Sequence, residues 1–553
     1  MADIEDIIEK ENHKVKKFLE MIRGGLDVNE SKRKCRVFIR KYEIIQKYKH
    51  LLTMEDISKL VHKPVRSWSG VIVITLVMRP DKFSCPHNCY YCPNEPGQPR
   101  SYLSNEPAVA RANEVKFDAE LQMRSRLDTL RKNGHMLDKL EIIVLGGTFS
   151  AYPREYQEEF IRDIYYAANN YEKGYRLKKE LNDEQKENTK TRYKIIGISL
   201  ETRPDHINIG EIRRLRKYGC TRVQLGIQHT NNEILEYVNR GHTVEQSVKA
   251  IHLLRTNGFK IDIHIMPDLP GSNVEEDKKM ITRILESPEF IPDYLKIYPC
   301  LDVDFTEIRK WKQSGKWKPY SEENNGEKII DVVLHAKKLS KTYIRFNRIQ
   351  RDFCEEKENV LGYKSKNIRS NFRQMLQNEL KKRNMKCKCI RCMEIKNEEI
   401  NSKNVKYHIE SYNTIGGKEY YISAMDQEKL LGFIRVRINN NNNMKDYLYS
   451  YLKNVAFVRE LHVYGTVVPV SSKKEKVQHL GIGKNLMQIG QLVALWEGKR
   501  EVVVISGVGV RDYYTKHKFY LKEEGQYMYK YINYIEIMRI VIQCLIIFIK
   551  NII

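Results

Sequence analysis

VIVITLVMRPDKFSCPHNCYYC, residues 71–92, joins a β-strand pattern directly to three closely spaced cysteines. Nearly continuous apolar strands with helix-length connections are typical of a parallel sheet covered by helices. Six such strands in about 230 residues predict an α/β fold with a full or partial (β/α) barrel, whose ligands bind at the carboxyl ends of the strands. The runs that follow the first one are LEIIVLGG (140–147), YKIIGISLE (193–201), TRVQLGIQ (221–228), FKIDIHIMP (259–267) and YLKIYP (294–299).

The cysteines of this stretch, Cys85, Cys89 and Cys92, have the spacing C-x3-C-x2-C. Three thiolates after a strand can hold three irons of a [4Fe–4S] cluster and leave the fourth iron open to an outside ligand. A structural zinc site short of one ligand and three buried thiols are the alternatives. In radical S-adenosylmethionine enzymes, which this arrangement resembles, the outside ligand is the amino and carboxylate end of that nucleotide. We therefore expect S-adenosylmethionine near the next strand ends, at Gly146, Gly147 and Glu201.

A second cysteine group, Cys387, Cys389 and Cys392, has the spacing C-x-C-x2-C and lies among basic residues. Tetrahedral zinc takes four protein ligands in structural sites, so one ligand must come from elsewhere. His335 and Cys354 are candidates by default, because no sequence rule selects the fourth ligand. The spacing predicts a structural zinc site, with free or redox-active thiols as the alternative.

A different β-rich pattern begins near residue 406, with EYYISA, LLGFIRVRI, AFVRELHVYGTVV and EVVVISGVG as strands. Between the last two lies a glycine-led helix that starts at Gln478, with Gly481 and Gly483 in its first turn. Backbone N–H groups at such a helix start bind pyrophosphate. Tyr513 and Tyr514 follow on the next helix, where packing is the alternative role for at least one ring. This order of elements resembles the acetyl-CoA-binding core of the GCN5-related N-acetyltransferases.

The length and charge of the chain limit its function class. At about 100–200 residues per domain, 553 residues predict three or four packed units, which excludes a peptide hormone or a lone binding module. The net charge of +25 fits a polyanionic partner such as nucleic acid, or a well-solvated surface. Residues 1–62 are predicted to be helical and to mix basic and aromatic residues, which suits phosphate contacts and base stacking, or an amphipathic helix with its aromatics in the core. The residues in question are Lys32, Arg33, Lys34, Arg36, Arg40, Lys41, Lys47 and Lys49, with Phe38, Tyr42 and Tyr48.

The two ends of the chain bear on its location. The first residues lack the apolar core of a secretory signal, which predicts a reducing compartment, the cytoplasm or the nucleus. The run IVIQCLIIFI (540–549) is strongly apolar but shorter than the roughly 20 residues of a membrane helix. We expect a tail helix packed on the body, in preference to membrane contact. The predicted units are 1–62, basic and helical; 63–350, the partial barrel; 351–405, a linker with the zinc site; 406–530, the acetyltransferase-like mixed α/β domain; and 531–553, an apolar extension.

Many blocks together resemble the catalytic-subunit family of the Elongator complex, from about Lys63 to Lys530. The family combines radical S-adenosylmethionine and acetyltransferase domains and acts on the wobble uridine of certain tRNAs. The resemblance implies a carboxymethyl group installed at C5 of that base from acetyl-CoA, with tRNA and other Elongator subunits as partners. The blocks include KPVRSWSGV, SYLSNEPAVARA, GHMLDKLEIIVLGGTF, ISLETRPD, VNRGHT, IMPDLPGS, RELHVYGTVVPV and ISGVGVRDYYTKHKF.

The resemblance also implies residue roles. The first cysteine group would bind the cluster, and Tyr514, with Tyr513 beside it, would lie at the reacting end of acetyl-CoA. One departure is the interval between the first two cysteines, which is shorter than in eukaryotic members. Acetyl-CoA would be held by Lys139, by the strand residues Glu460, Leu461, His462 and Val463, and by Ile482, Gly483 and Lys484 at the pyrophosphate.

Two other functions are compatible with the sequence. A lysine acetyltransferase for histones or tubulin would need a base to deprotonate the amine, and Glu460 and the two tyrosines are the candidates. A tRNA-binding scaffold with a purely structural cluster is the second.

Overall fold

Seven parallel strands, paired in sequence order, form the first sheet of this computed structural model, which describes residues 2–80, 85–351, 372–396, 404–440, 442–465, 481–522 and 524–552. No pairing between the first and last strands occurs in these ranges, so the sheet is an open barrel. The predicted partial barrel and its six strands are confirmed. The seventh strand was missed because its sequence, RFNR, has one apolar residue. The strands are β1 (Ile72–Val77), β2 (Lys139–Leu145), β3 (Lys194–Thr202), β4 (Cys220–Gln228), β5 (Lys260–Ile265), β6 (Tyr294–Ile297) and β7 (Arg345–Arg348).

Helices cover the outer face of this barrel. Several begin at a side chain that caps the first turn, as Thr243 does for one helix and Asn273 for the next. The strands are buried on both faces, which explains their continuous apolar runs. The helices are α5 (Pro107–Glu114), α6 (Ala119–Lys132), α7 (Arg154–Asn169), α8 (Leu181–Asn188), α9 (Ile209–Lys217), α10 (Asn232–Tyr237), α11 (Val244–Thr256), α12 (Val274–Glu286), α13 (Glu307–Gln313) and α14 (Glu327–Lys338).

The second sheet is mixed, as predicted, and its strands lie in the order β13-β14-β12-β11-β10-β9-β8. β11 and β12 are parallel and their neighbours antiparallel. The sequence did not identify β8, which is largely exposed, or the short strands β13 and β14. The elements are β8 (Val405–Thr414), β9 (Gly417–Asp426), β10 (Lys429–Asn439), β11 (Ala456–Val463), α17 (Ile482–Trp496), β12 (Glu501–Val504), α18 (Arg511–Lys516), β13 (Tyr520–Lys522) and β14 (Tyr527–Tyr531).

Buried ion pairs join the two sheets. Asp293, next to β6, accepts a hydrogen bond of 2.9 Å from Nη1 of Arg459 on β11. Arg459 also pairs with Glu419 on β9, and Arg435 on β10 lies 3.4 Å from Asp293. A buried charge is stable only when it is paired. The barrel and the second sheet therefore complete each other's charge balance.

The N-terminal region is helical, as predicted, and has a small core of its own. Tyr48 is buried in that core, whereas Phe38 is 89% exposed. Arg23 pairs with the buried Asp56, whose carboxylate also accepts a hydrogen bond from the backbone N–H of Thr53, the residue that caps the last helix. Tyr48 therefore has the core role of the amphipathic alternative, and the exposed Phe38 leaves base stacking as a prediction. The helices are α1 (Ala2–Arg23), α2 (Val28–Lys34), α3 (Lys41–Lys47) and α4 (Met54–Leu60).

Two short helices, α15 (Phe372–Lys382) and α16 (Ile390–Met393), connect the two sheets. The tail forms α19 (Tyr534–Ile552), which packs on α17 through Ile540, Cys544 and Ile547. Its helical packing on the body agrees with the prediction. Within the described ranges, every helix is too short or too polar to cross a membrane.

Candidate active site

One cavity of about 1050 Å³ runs from the interior of the barrel to the second sheet. Gly483 and Lys484 at the start of α17 and Tyr513 and Tyr514 on α18 line its second-sheet end. The cysteines of both groups, Gly146, Gly147 and Ile482 are absent from its described lining, although Tyr91 of the first cysteine loop is part of it. The other predicted site residues that line it are Lys139, Glu201, Glu460, Leu461, His462 and Val463.

The first cysteine loop adjoins the end of β2. Sγ of Cys85 lies 3.5 Å from Oγ1 of Thr148, the residue that follows Gly146-Gly147. Gly147 has φ +83°, and a Cβ there would come within 2.8 Å of the carbonyl oxygen of Arg100. Only glycine therefore permits this close approach of backbone segments beside the cysteine loop.

Two arginines that the sequence did not single out surround Cys89. Nη1 of Arg240 lies 3.6 Å and Nη1 of Arg203 lies 3.7 Å from its Sγ. Burial alone would raise the pKa of this thiol, but the charges of Arg240 and Arg203 outweigh it and lower that pKa. Thiolates with N–H donors suit an iron–sulfur cluster, so these residues fit the expected group. The blocks ISLETRPD and VNRGHT contained the only sequence signal for them.

A positioning network holds these arginines in place. Arg203 donates to the carbonyl oxygen of Arg240 at 2.8 Å and pairs with Asp205 at 3.0 Å. Arg240 donates to the carbonyl oxygen of Gly226 at 2.6 Å. His87, inside the cysteine loop, lies 3.3 Å from Asp205. The loop is therefore connected to the ends of β3 and β4 by hydrogen bonds.

Polar side chains fill the barrel interior next to Glu201. Tyr102 donates to Glu201 at 2.6 Å, and His264 lies 3.6 Å from the same carboxylate. Burial raises the pKa of Glu201. Burial also lowers the pKa of Lys296 to about 8, and its Nζ donates to Gln224. The sequence predicted Glu201 from its strand end but missed the others, which look like ordinary strand residues.

The second-sheet end of the cavity gathers most residues expected at acetyl-CoA. Lys139 is the first residue of β2, and desolvation lowers the pKa of its ammonium. Tyr513 lies with its ring 5.3 Å from that of Tyr514 and packs near Gly483. Gly481 precedes α17 with φ +68°. The remainder of the glycine motif, residues 478–480, lies outside the described residues.

Glu460 is engaged in ion pairing at this end. It accepts a hydrogen bond of 2.9 Å from Nε of Arg435 and another from the hydroxyl of Tyr294. Burial opposes ionisation, but Lys260 and Arg435 lower the pKa of Glu460 to about 2. A carboxylate with such a pKa is a poor general base near pH 7.

The second cysteine group is tightly convergent. The Sγ atoms of Cys387, Cys389 and Cys392 all lie within 4.8 Å of one another. His335 instead hydrogen-bonds Oγ1 of Thr282 at 2.9 Å and does not belong to this group, so its proposal as fourth ligand is wrong. Residue 354, the other candidate, lies outside the described residues. The three thiols fit a metal ion, and no fourth Cys, His, Asp or Glu joins them in the described ranges.

Family comparisons agree with this architecture. The family model of the Radical SAM superfamily matches residues 83–284, and that of the Radical_SAM C-terminal domain matches residues 292–382. The tRNA uridine(34) acetyltransferase of Methanocaldococcus jannaschii is 38% identical over 488 residues, which cover 85% of this chain and 86% of that protein. Human Elongator complex protein 3 is 35% identical, again over 85% of this chain and 86% of the relative.

A solved structure shows the same fold. The archaeal Methanocaldococcus infernus Elp3 with its first 46 residues deleted has a TM-score of 0.69 and 33% identity, and the match covers 84% of this chain and 99% of that one. The chain therefore belongs to the family that contains Elongator complex protein 3 and the archaeal tRNA uridine(34) acetyltransferases, and its barrel is a Radical SAM domain.

Proposed function

We propose that this protein modifies the wobble uridine of tRNA, using S-adenosylmethionine radical chemistry and acetyl-CoA to install a carboxymethyl group at C5. The observation that carries the proposal is the single cavity, which connects Glu201 in the barrel with Lys139 and Tyr514 at the other end. Two cofactor sites that share a cavity can act on one base. The names of the relatives, which include tRNA uridine(34) acetyltransferase, support the same substrate.

Each end of the cavity has a distinct task in this proposal. Cys85, Cys89 and Cys92 would hold the [4Fe–4S] cluster, with S-adenosylmethionine near Gly146, Gly147 and Glu201. When bound, these cofactors supply the radical that activates the acetyl group. Lys139, Glu460–Val463 and Ile482–Lys484 would hold acetyl-CoA.

Tyr513 and Tyr514 would contact the thioester. Burial raises the pKa of Tyr513 to about 12 and that of Tyr514 as well, so both hydroxyls stay protonated and can donate hydrogen bonds. A protonated donor at the thioester carbonyl stabilises negative charge there.

The partners follow from the same proposal. tRNA would meet the basic N-terminal helices through its anticodon stem-loop, because phosphates provide most of the affinity and an unstacked loop base can enter a pocket. Other Elongator subunits are the expected protein partners, in the cytoplasm or nucleus. Cys387, Cys389 and Cys392 would hold a structural zinc ion.

The test is anaerobic reconstitution with iron, sulfide, S-adenosylmethionine, acetyl-CoA and tRNA, followed by nucleoside mass spectrometry. We expect carboxymethyluridine and 5′-deoxyadenosine from the natural chain and neither above background from Cys92→Ser. Absence of carboxymethyluridine from a chain with a full cluster would overturn the proposal.

Lysine acetylation has less support. Glu460 was a candidate base, and its pairing with Arg435 and its low pKa make it unsuitable. Incubation of the cluster-free protein with acetyl-CoA and a histone-tail peptide should leave the peptide unmodified.

A further inference from the structure

Three arginines at one edge of the cavity form no ion pair within the described ranges, although the charge of Glu114 lies near one of them, Arg111. Arg66 lies just before β1, Arg111 on α5 and Arg126 on α6, and all three line the cavity. In the described part of the chain, none of their guanidinium groups takes part in an ion pair or side-chain hydrogen bond. Arg111 and Arg126 are also half-buried.

Three other arginines of this cavity are paired with carboxylates. Arg222 pairs with Glu141 at 3.0 Å, Arg345 with Glu394 at 2.5 Å, and Arg351 with Glu106 at 2.5 Å. Those three guanidinium charges are compensated, whereas Arg66, Arg111 and Arg126 take part in no ion pair among the described residues.

Leaving these charges together costs free energy. Burial, followed by repulsion from Arg111 and Arg66, lowers the pKa of Arg126 to about 10. Burial, with Arg66 as the next cause, lowers the pKa of the neighbouring His135 to about 4. A bound anion would relieve this repulsion.

This edge of the cavity lies between the N-terminal helices, where tRNA is expected, and the second sheet, where acetyl-CoA is expected. Ser67, next to Arg66, contacts His135 at 3.2 Å, and the carbonyl oxygen of Ser69 lies 3.2 Å from Nε2 of His462 on β11. On the other side, α3 of the basic N-terminal region packs on α6. The arginines thus lie between the basic helices and the second sheet.

We propose that Arg66, Arg111 and Arg126 form a phosphate-binding site at the entrance of the cavity. Guanidinium forks match phosphate oxygens in shape and charge, and several together favour phosphate over a single carboxylate. The proposal rests on the proposed function for its ligand, since the phosphate would belong to the RNA backbone or to CoA.

The experiment measures binding by the full-length reconstituted protein, not turnover. Arg111→Gln and Arg126→Gln are compared with the natural chain and with Arg213→Gln, a matched control on the exposed face of α9. One arm titrates fluorescent tRNA over a series of KCl concentrations, and the other titrates CoA by calorimetry. Thermal unfolding of each variant checks its fold, and Arg66→Gln, at an exposed member of the proposed site, replaces any variant that does not fold.

For an RNA phosphate we expect about tenfold weaker tRNA binding for each substitution and a salt slope reduced by about one, with CoA binding unchanged. For a CoA phosphate we expect the loss in the calorimetric arm instead. Either result supports the site and identifies its source. Binding of both ligands by both variants with the affinity of Arg213→Gln would overturn it. A natural chain that binds no tRNA would contradict the proposed function alone, because the CoA arm still tests the site.

Discussion

Two groups of three cysteines with nearly the same spacing lie in different surroundings. The sulfurs of Cys387, Cys389 and Cys392 converge within 4.8 Å, whereas those of the first group do not. The first group has two arginines at Cys89, and the second has Lys337 at 3.8 Å from Cys392. Thiolates that share one ion must converge, while thiolates on different irons of a cluster stand farther apart. Sulfur geometry and neighbouring charge, more than spacing in sequence, therefore support a cluster at the first group and a single ion at the second, as proposed above.

The largest expected difference between the groups is in activity. Cys89→Ser should reduce carboxymethyluridine formation by at least about 1,000-fold, because radical generation needs the intact cluster. Cys389→Ser should stay within about tenfold of the natural chain once folded, since the zinc site proposed there would be structural. Nucleoside mass spectrometry measures both. Equal losses in the two variants would mean that the second group also takes part in the reaction.

Metal affinity should depend steeply on pH at the second group. Hydrogen bonds from Cys387 and Cys392 lower the pKa of Cys389, whereas the pKa values of Cys387 and Cys392 are raised, so these two remain protonated thiols near pH 7 without metal. Zinc displaces those two protons, and its affinity should therefore rise by about 100-fold per pH unit below neutrality. Competition with a chromophoric chelator at pH 6 and 7 measures this. A pH-independent affinity would contradict the assignment.

The second group should also contribute more to stability. Cys389→Ser should lower the free energy of unfolding by about 2–4 kcal/mol, because a structural metal binds only the folded chain. Differential scanning calorimetry should give the zinc-stripped natural chain the same midpoint as the variant. A variant less stable than the stripped protein would indicate lost packing in place of lost metal.

The smallest expected effect is on the cluster potential. Arg240→Gln removes an N–H donor and a positive charge from Cys89, so the reduced, more negative cluster is less stabilised. The midpoint potential should become more negative by on the order of 50 mV. Redox titration followed by electron paramagnetic resonance measures it, with Lys337→Gln as the matched control. A shift of the midpoint potential in Lys337→Gln but not in Arg240→Gln would contradict the assignment of the cluster to the first cysteine group.

The features that could be predicted from the sequence are those marked by repeated apolar runs or by closely spaced residue types. Apolar runs located six barrel strands, and Gly146-Gly147 was recognised as a strand end; the structure has the next residue, Thr148, beside Cys85. The sequence did not predict polar or short strands such as β7 and β8, because their stability comes from pairing with neighbouring strands and not from an apolar pattern of their own. Arg203 and Arg240 could not be placed because their roles depend on which strand ends meet. His335 failed as a metal ligand for the same reason, since its hydrogen bond to Thr282 arises only in the folded chain.

The buried pair of Asp293 and Arg459 has a consequence for fragments of this protein. A barrel expressed alone would lose Arg459 and Arg435 as partners of Asp293 and would expose that carboxylate, which is buried in the whole protein. We therefore expect the barrel and the second sheet to melt in a single calorimetric transition. We therefore do not expect either half to be an exchangeable module, and the barrel and the second sheet should be expressed and engineered as one piece.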